Sequence, residues 1–253
     1  MKPGNDIGRC QRRPYLLGAL VIVLLAGCGG QGSHSPQAAP SSHSATPAAS
    51  AQQLLTAALA AATAKQWVHM DVQTSAPGHL ITFNDDDGPN TGIQRITIRG
   101  AGAGLVRVVG RDTYMKADAT ALHGYFGLPA DGARRAANRW LHLVPGDSGY
   151  ADVTQGVSIA SAMQEVTISA PLRQLPAQSR DGRTVIGVTG GAGQDAPAGA
   201  TATLWIDPET GLPVEYVATA SGGESLTSHM SRWGIAVAVT RPTGAASIRQ
   251  FGG

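Results

Sequence analysis

Short runs in which apolar and polar residues alternate constrain the fold of this chain most strongly. In the clearest case, the runs 202–206 and 214–218 alternate on either side of the turn Asp207-Pro208-Glu209-Thr210-Gly211. Period-two patterning places successive side chains on opposite faces of a β-strand. This segment therefore predicts a hairpin with one dry and one wet face.

Similar runs recur along the chain and predict a sheet of roughly eight to ten strands. They lie at 68–72, 92–99, 105–109, 113–117, 138–143, near 175, 184–188, 226–233 and 235–240. The runs 92–99, 105–109 and 113–117 are short, β-branched and bounded by Gly or Asp. Asp181-Gly182 is a hairpin signal, whereas 190–199 is predicted to be a mobile loop. Because the connections are mainly hairpins, the sheet is expected to be antiparallel.

Few segments show helical spacing, and they lie near residues 51–65, 119–128 and 158–165. Ser50 and Ser158 are suitable N-caps for the first and the third. On the first two, the large apolar residues that recur at helical spacing are Leu54, Leu55, Leu59, Leu122, Tyr125 and Phe126.

The N-terminus has the pattern of a bacterial lipoprotein signal. Basic residues precede an apolar run from Tyr15, which ends in Leu25-Ala26-Gly27-Cys28. In such a signal, cleavage occurs directly before the cysteine, which receives a diacylglyceryl group. Residues 1–27 are therefore predicted to be a signal peptide, and Cys28 the acylated residue. The alternatives are an uncleaved anchor and a chance cysteine after an ordinary signal peptide. Arg12-Arg13 fits twin-arginine export as well as the general secretory route, and both routes stay open.

Residues 28–50 lack large apolar side chains and are expected to form a flexible tether behind the acylated Cys28. The remaining residues, 51–253, suit one domain. The chain is therefore predicted to lie on the extracytoplasmic face of the cell membrane, held there by lipid.

Composition excludes a nucleic-acid-binding role for the mature chain. Cleavage before Cys28 removes four of the 19 basic residues and one of the 17 acidic ones, which leaves 15 against 16. No basic excess remains to attract an anionic polymer. Because Cys10 lies in the leader, the mature chain cannot form an internal disulfide.

Motifs for catalysis and cofactor binding are weak, and we expect no enzyme, no metal and no cofactor. Gly146-Asp147-Ser148-Gly149 resembles a protease nucleophile loop, but His69, His79 and His123 lack the setting of a catalytic histidine.

The acidic and glycine-rich segments also lack the context that a ligand site needs. Asp85-Asp86-Asp87-Gly88 has Pro89 and Ile96 where an EF-hand loop needs ligands, so a solvated acidic loop is expected there. The glycine-rich stretches 100–104 and 190–193 lack the strand-to-helix context of a phosphate loop and are expected to be flexible turns.

Four segments, together with the order of the elements, resemble actinobacterial lipoproteins of the LppX/LprG type, which belong to a wider LolA-like group. These segments are 108–116, 139–143, 204–213 and 231–234. The resemblance implies an α+β fold in which helices cover the concave face of a curved antiparallel half-barrel. It also implies an apolar cavity that binds or carries acylated lipids or lipoglycans. The candidate lining residues are Leu54, Leu55, Leu59, Leu122, Tyr125 and Phe126.

A second hypothesis is a non-transporting envelope sensor or protein-binding module that uses the same sheet. Partners would then be an envelope transporter or another protein instead of a lipid alone. A large internal cavity would favour carriage, and a filled core with an exposed apolar patch would favour a protein partner. A hydrolase would need a histidine and an acid beside Ser148.

Overall fold

The computed structural model describes residues 50–180, 182–193, 196, 197 and 199–253. These residues belong to one unit, Pro47–Gly253. The predicted signal peptide, Cys28 and the tether as far as residue 49 lie outside the described residues. Within them, no helix is long and apolar enough to cross a membrane.

Strands dominate the described part of the chain, where thirteen are found in place of the predicted eight to ten. In chain order they are β1 Val68–Ala76, β2 His79–Asp87, β3 Thr91–Ile98, β4 Gly102–Val109, β5 Asp112–Ala117, β6 Leu141–Leu143, β7 Ile168–Gln174, β8 Gln178–Arg180, β9 Arg183–Ala192, β10 Thr201–Ile206, β11 Pro213–Thr219, β12 Ser225–Ser231 and β13 Ala246–Ser247.

The strands form one unclosed sheet in the order β13-β6-β5-β4-β3-β2-β1-β12-β11-β10-β9-β7, with β8 paired to β9 alone. Among the described strands, every pair is antiparallel except β13 with β6. Strand β1 joins the two halves of the sheet, because it pairs with β2 on one side and with β12 on the other. The prediction of an antiparallel sheet is confirmed.

The helices lie against one face, here called the inner face. They are α1 Ala51–Ala64, α2 Ala119–Gly124, α3 Ala130–Ala136, α4 Tyr150–Thr154, α5 Ile159–Glu165 and the 3₁₀-helix Ile248–Phe251. Helix α1 packs against α5 and strands β7, β9 and β11, whereas α2 packs against α3 and β4. The opposite face of the sheet is called the outer face.

The predicted caps begin their helices as expected. At α1, the Gln53 amide N–H donates to the Ser50 hydroxyl (3.2 Å) and the Ser50 N–H donates to the Gln53 side chain (2.8 Å), which is a capping box. The Ser158 hydroxyl accepts from the Ser161 N–H at the start of α5. These contacts satisfy backbone donors that the first helical turn leaves free.

Asp118 fixes the start of α2 to the start of β4. Its carboxylate accepts from the Ala121 N–H at 2.9 Å and from the Ala103 N–H at 2.6 Å. Gly102 lies against this carboxylate with a φ of +102°, and a Cβ atom there would come within 2.3 Å of it. A glycine is therefore required beside this cap.

The prediction of a strand at 235–240 is wrong. Residues 232–245 instead form no helix or strand, and their second half passes over the outer face of β4 and β5 to reach β6. Arg107 on β4 donates to the Thr240 carbonyl (3.2 Å), Arg241 pairs with Asp112 on β5 (2.7 Å), and the Ala246 N–H donates to the Trp140 carbonyl. A segment that crosses strands cannot form a ladder with them, although its apolar residues alternate.

Two glycine-rich stretches are strand where turns or loops were expected. Residues 102–104 begin β4, and residues 190–192 end β9. In β9, a Cβ atom on Gly190 would come within 2.4 Å of the Ser169 carbonyl oxygen. The glycine allows β7 to lie close to β9, so here it serves close packing of the two strands.

Candidate functional site

The inner face carries two separate hydrophobic cores. One lies under α2 and α3 and contains Ile96, Val106, Met115, Leu122, Leu141 and Ile248. The other lies under α1 and α5 and contains Leu55, Met70, Ile159, Val188, Leu204, Tyr216 and Met230. We call them the α2–α3 core and the α1–α5 core.

Between the two cores lies a row of half-buried apolar side chains, here called the apolar strip. It consists of Val72, Ile81, Phe83, Ile98 and Leu226. Register places them on one face, because Val72 pairs with Phe83 and Ile81 pairs with Ile98. Thr74 lies opposite both Ile81 and Leu226, in the middle of the strip.

Each half of the strip packs against a different core. Ile81, Phe83 and Ile98 pack against the α2–α3 core, whereas Val72 and Leu226 pack against the α1–α5 core. The strip is therefore the place where the two cores meet, on the strands β12, β1, β2 and β3. Its side chains keep partial access to solvent, as a surface that takes up an apolar ligand requires.

The inner face of β2 changes from apolar to acidic along the strand. Ile81, Phe83, Asp85 and Asp87 are alternate residues of β2, so their side chains share this face. Asp85 and Asp87 are 3% and 0% exposed. The Gln94 amide donates to the Asp85 carboxylate at 3.2 Å. Among the described residues, the other Asp85 oxygen and both Asp87 oxygens have no hydrogen-bond partner.

The segment before α5 closes the acidic end of the strip. The Ile159 N–H donates to the Gly88 carbonyl at 3.1 Å. A Cβ atom on Gly92 would come within 2.7 Å of the Val157 carbonyl oxygen, so glycine permits this close approach. The Glu165 carboxylate lies near Gly156, on the same side as the Gln94 amide.

Burial dominates the electrostatics of this acidic end. Desolvation raises the pKa of Asp85 to about 8, with a smaller contribution from the negative charge of Glu165 and an opposing one from the Gln94 hydrogen bond. Desolvation, together with the charges of Asp85 and Glu165, also raises the pKa of Asp87 well above its usual range. Burial therefore favours the protonated form of both carboxyl groups.

The expected solvated acidic loop at 85–88 is thus wrong. Asp85, Asp86 and Asp87 end strand β2, and all three are buried. Three consecutive aspartates are unfavourable in a strand by propensity, so the sequence pattern concealed β2 entirely. No group of three or more His, Cys, Asp or Glu side chains in the described residues is arranged to hold a metal ion.

The six predicted cavity residues divide between two settings. Leu55 and Leu122 are 6% and 0% exposed and belong to different cores. The other four are half-buried at core margins, with Leu54 and Leu59 on α1 beside the α1–α5 core. Tyr125 and Phe126 are beside the α2–α3 core and form an edge-to-face pair with ring centroids 5.0 Å apart.

Phe126 lies against the start of β4. A Cβ atom on Gly104 would come within 3.1 Å of the Phe126 ring, and Gly104 pairs with Ile96 on β3. The five strip residues were not among the predicted lining residues. The alternation in β1 and β12 was the available signal for Val72 and Leu226.

The rejected nucleophile loop is held by contacts within the fold. The Asp147 carboxylate accepts from the Val144 N–H at 2.8 Å and from Arg249 at 2.5 Å.

On the outer face, His69 lies 2.8 Å from Asp86, which also accepts from Arg232 at 2.8 Å. The structure thus gives His69 an acidic partner that the sequence did not reveal.

No family model and no curated protein sequence matches this chain. The crystal structure of LprF from Mycobacterium bovis is similar, with a TM-score of 0.51 and 15% identity over 77% of this chain and 97% of that one. A LolA superfamily protein from Nitrosomonas europaea matches with a TM-score of 0.27 and 14% identity, over 73% and 92% of the two chains.

The similarity to LprF concerns the fold. Both chains fold into a large, unclosed, mostly antiparallel sheet with a few helices, and the predicted α+β half-barrel is confirmed. A MucA/MucB complex from Pseudomonas aeruginosa also matches, with a TM-score of 0.37 and 15% identity over 71% of this chain and 55% of that one.

The raised pKa values predict that stability falls as pH rises. In the unfolded chain Asp85 and Asp87 ionise near pH 4, whereas in the folded chain the pKa of Asp85 is about 8. Between these pH values the folded state binds more protons than the unfolded state, so the free energy of unfolding decreases as pH rises. The expected decrease from pH 5 to pH 8.5 is on the order of a few kcal/mol. Denaturant unfolding at several pH values measures this decrease.

Asp85→Asn keeps a neutral side chain at every pH. We therefore expect it to reduce the slope of the unfolding free energy against pH and to raise stability at pH 8.5. Glu224→Gln, in an exposed turn, is the matched control and should leave the slope unchanged. Parallel curves for the wild type and Asp85→Asn would contradict the assignment.

Proposed function

We propose that this chain is a membrane-anchored envelope lipoprotein that holds the acyl chains of a lipid or lipoglycan on its apolar strip. The observation that carries the proposal is the strip itself, a half-buried apolar row between two cores on the helix-covered face. The lipobox and the resemblance to LppX/LprG-type proteins support the same conclusion. No catalytic role is proposed.

The arrangement of the helices provides a way to admit an acyl chain. Helix α1 packs on the α1–α5 core and α2 packs on the α2–α3 core. The two helices are therefore attached to different parts of the sheet. The space over Val72, Phe83 and Ile98 can therefore widen while each core keeps its own contacts. Phe126 and Leu59, which are half-buried at the core margins, supply apolar walls.

Burial of methylene groups supplies the affinity. Each buried methylene contributes about 0.8 kcal/mol, so ten of them contribute about 8 kcal/mol before the costs of ordering the chain. The inner face offers apolar contact along β2 as far as Phe83, where Asp85 begins the polar end. An acyl chain would thus lie along the strip, away from the carboxyl groups.

The anchor would keep the carrier beside its source of lipid. Acylation of Cys28 attaches the N-terminus to the outer leaflet, and two acyl chains hold more firmly than one. The domain can then reach lipids of the same membrane.

We predict that Cys28→Ala releases the chain from the membrane and leaves the domain folded, because the acylated residue precedes every described helix and strand. Fractionation with immunodetection measures release, and circular dichroism of the released chain measures folding. Cys10→Ala, which removes the other cysteine, should stay in the membrane fraction. Retention of Cys28→Ala in that fraction would overturn the anchor.

A lysine in the middle of the strip is expected to weaken lipid binding. Thr74 and Ser75 are neighbours on β1 but point to opposite faces, so Thr74→Lys places a charge on the strip and Ser75→Lys places the same charge on the outer face. We expect Thr74→Lys to lose about tenfold or more in affinity for a fluorescent fatty acid, measured by polarisation on the released Cys28→Ala chain.

Thermal unfolding of both variants separates weakened binding from weakened folding, and Ile81→Lys on the neighbouring strand is the second strip variant. Equal affinities for Thr74→Lys and Ser75→Lys, with both folded, would contradict binding at the strip. If the wild type binds no fatty acid but the strip is protected from hydrogen exchange by a protein partner, the protein-binding alternative replaces lipid carriage.

A further inference from the structure

The outer face carries a polar concavity that the proposed function does not use. Its volume is about 580 Å³, within the range of small-molecule sites, and it crosses the strands β12, β1, β2 and β3. Eight of its ten lining residues occupy alternate positions of these strands: Asp71, Gln73, Thr82, Asn84, Arg95, Thr97, Thr227 and His229. The other two, Val72 and Phe83, lie between them in sequence, and their side chains belong to the inner face by register. It therefore lies on the far side of the sheet from the apolar strip.

We infer that this concavity binds a neutral oligosaccharide. A sugar hydroxyl both donates and accepts hydrogen bonds, so its site needs donors and acceptors close together. Threonine hydroxyls and side-chain amides provide both, and the lining contains three threonines, a glutamine and an asparagine.

A hydrogen-bond network fixes part of the lining in place. The Arg95 guanidinium donates to the Asn84 carbonyl oxygen at 3.2 Å, and the Asn84 amide donates to the Asp71 carboxylate at 2.7 Å. Beyond the lining, His69 lies 3.5 Å from Asp71 and 2.8 Å from Asp86. The network orients these side chains before any ligand binds, which lowers the cost of binding.

Other lining groups remain available for a ligand. Within the described residues, the side chains of Gln73, Thr82, Thr97 and Thr227 have no hydrogen-bond partner in the protein. Thr82 and Gln73 are cross-strand neighbours, as are Thr82 and Thr97, so these groups form one row across three strands. Thr227 extends the row on β12, opposite Gln73.

The charges of the concavity favour a neutral ligand. Its lining carries one carboxylate, Asp71, which is 59% exposed, and one guanidinium, Arg95. The two groups lie on either side of Asn84, so positive and negative charge are adjacent in the concavity. An anionic or a cationic ligand would therefore be attracted by one group and repelled by the other. Uncharged hydroxyl groups can bond to both.

Saturation-transfer NMR on the full chain in detergent micelles tests the inference. The probes are maltotriose, cellotriose and mannotriose, with trigalacturonate as a charged trisaccharide of similar size. We expect saturation transfer to at least one neutral trisaccharide and weaker transfer to trigalacturonate. The double variant Gln73→Ala/Thr97→Ala removes two free polar groups and should lower the affinity about tenfold.

Ser75→Ala is the matched control, since Ser75 is on the outer face of the same strand as Gln73 but outside the concavity. It should bind as the wild type does. The inference is overturned if none of the neutral trisaccharides receives more saturation transfer from the wild type than from the double variant, or if trigalacturonate binds at least as well. Lipid binding by the strip does not enter this comparison, so the two proposals fail separately.

Discussion

The ladder between β1 and β12 is the interaction on which the rest of the structure depends. It joins residues 69–75 to residues 225–231, so the N-terminal strands β1 to β6 and the later strands β7 to β12 become one sheet. Helices α1 and α5 then cover one end of the inner face, and α2 and α3 cover the other. The strands on either side of this ladder are left with half-buried apolar side chains, and their other face forms the polar concavity. Both proposed sites thus result from one long-range pairing.

Elements with a strong local signal could be predicted from the sequence. The N-cap Ser50 with the helical spacing of leucines after it predicted α1, and the alternation on either side of 207–211 predicted the β10–β11 hairpin; both are confirmed. Local signals failed where tertiary contacts decide the structure. Strand β2 ends in three aspartates, which tertiary contacts bury, two of them on the inner face. Residues 235–240 alternate but form no ladder, because the segment crosses the strands beneath it.

The candidate site was less accessible to sequence reasoning for a related reason. Helical spacing shows which side chains are buried, but it does not show which core they enter, so Leu55 and Leu122 were grouped although they belong to separate cores. The strip depends on the order of strands in the sheet. Phe83 and Ile98 become neighbours of Val72 and Leu226 only after β1 has paired with both β2 and β12.

Native mass spectrometry of the full chain, purified from membranes in detergent, tests lipid carriage most directly. The proposed covalent anchor at Cys28 would add a mass that survives collisional activation, whereas a lipid on the apolar strip would add a mass that activation removes. We predict one such removable lipid per chain, with acyl chains identified after organic extraction. A spectrum that contains only the chain and its covalent anchor would contradict the account.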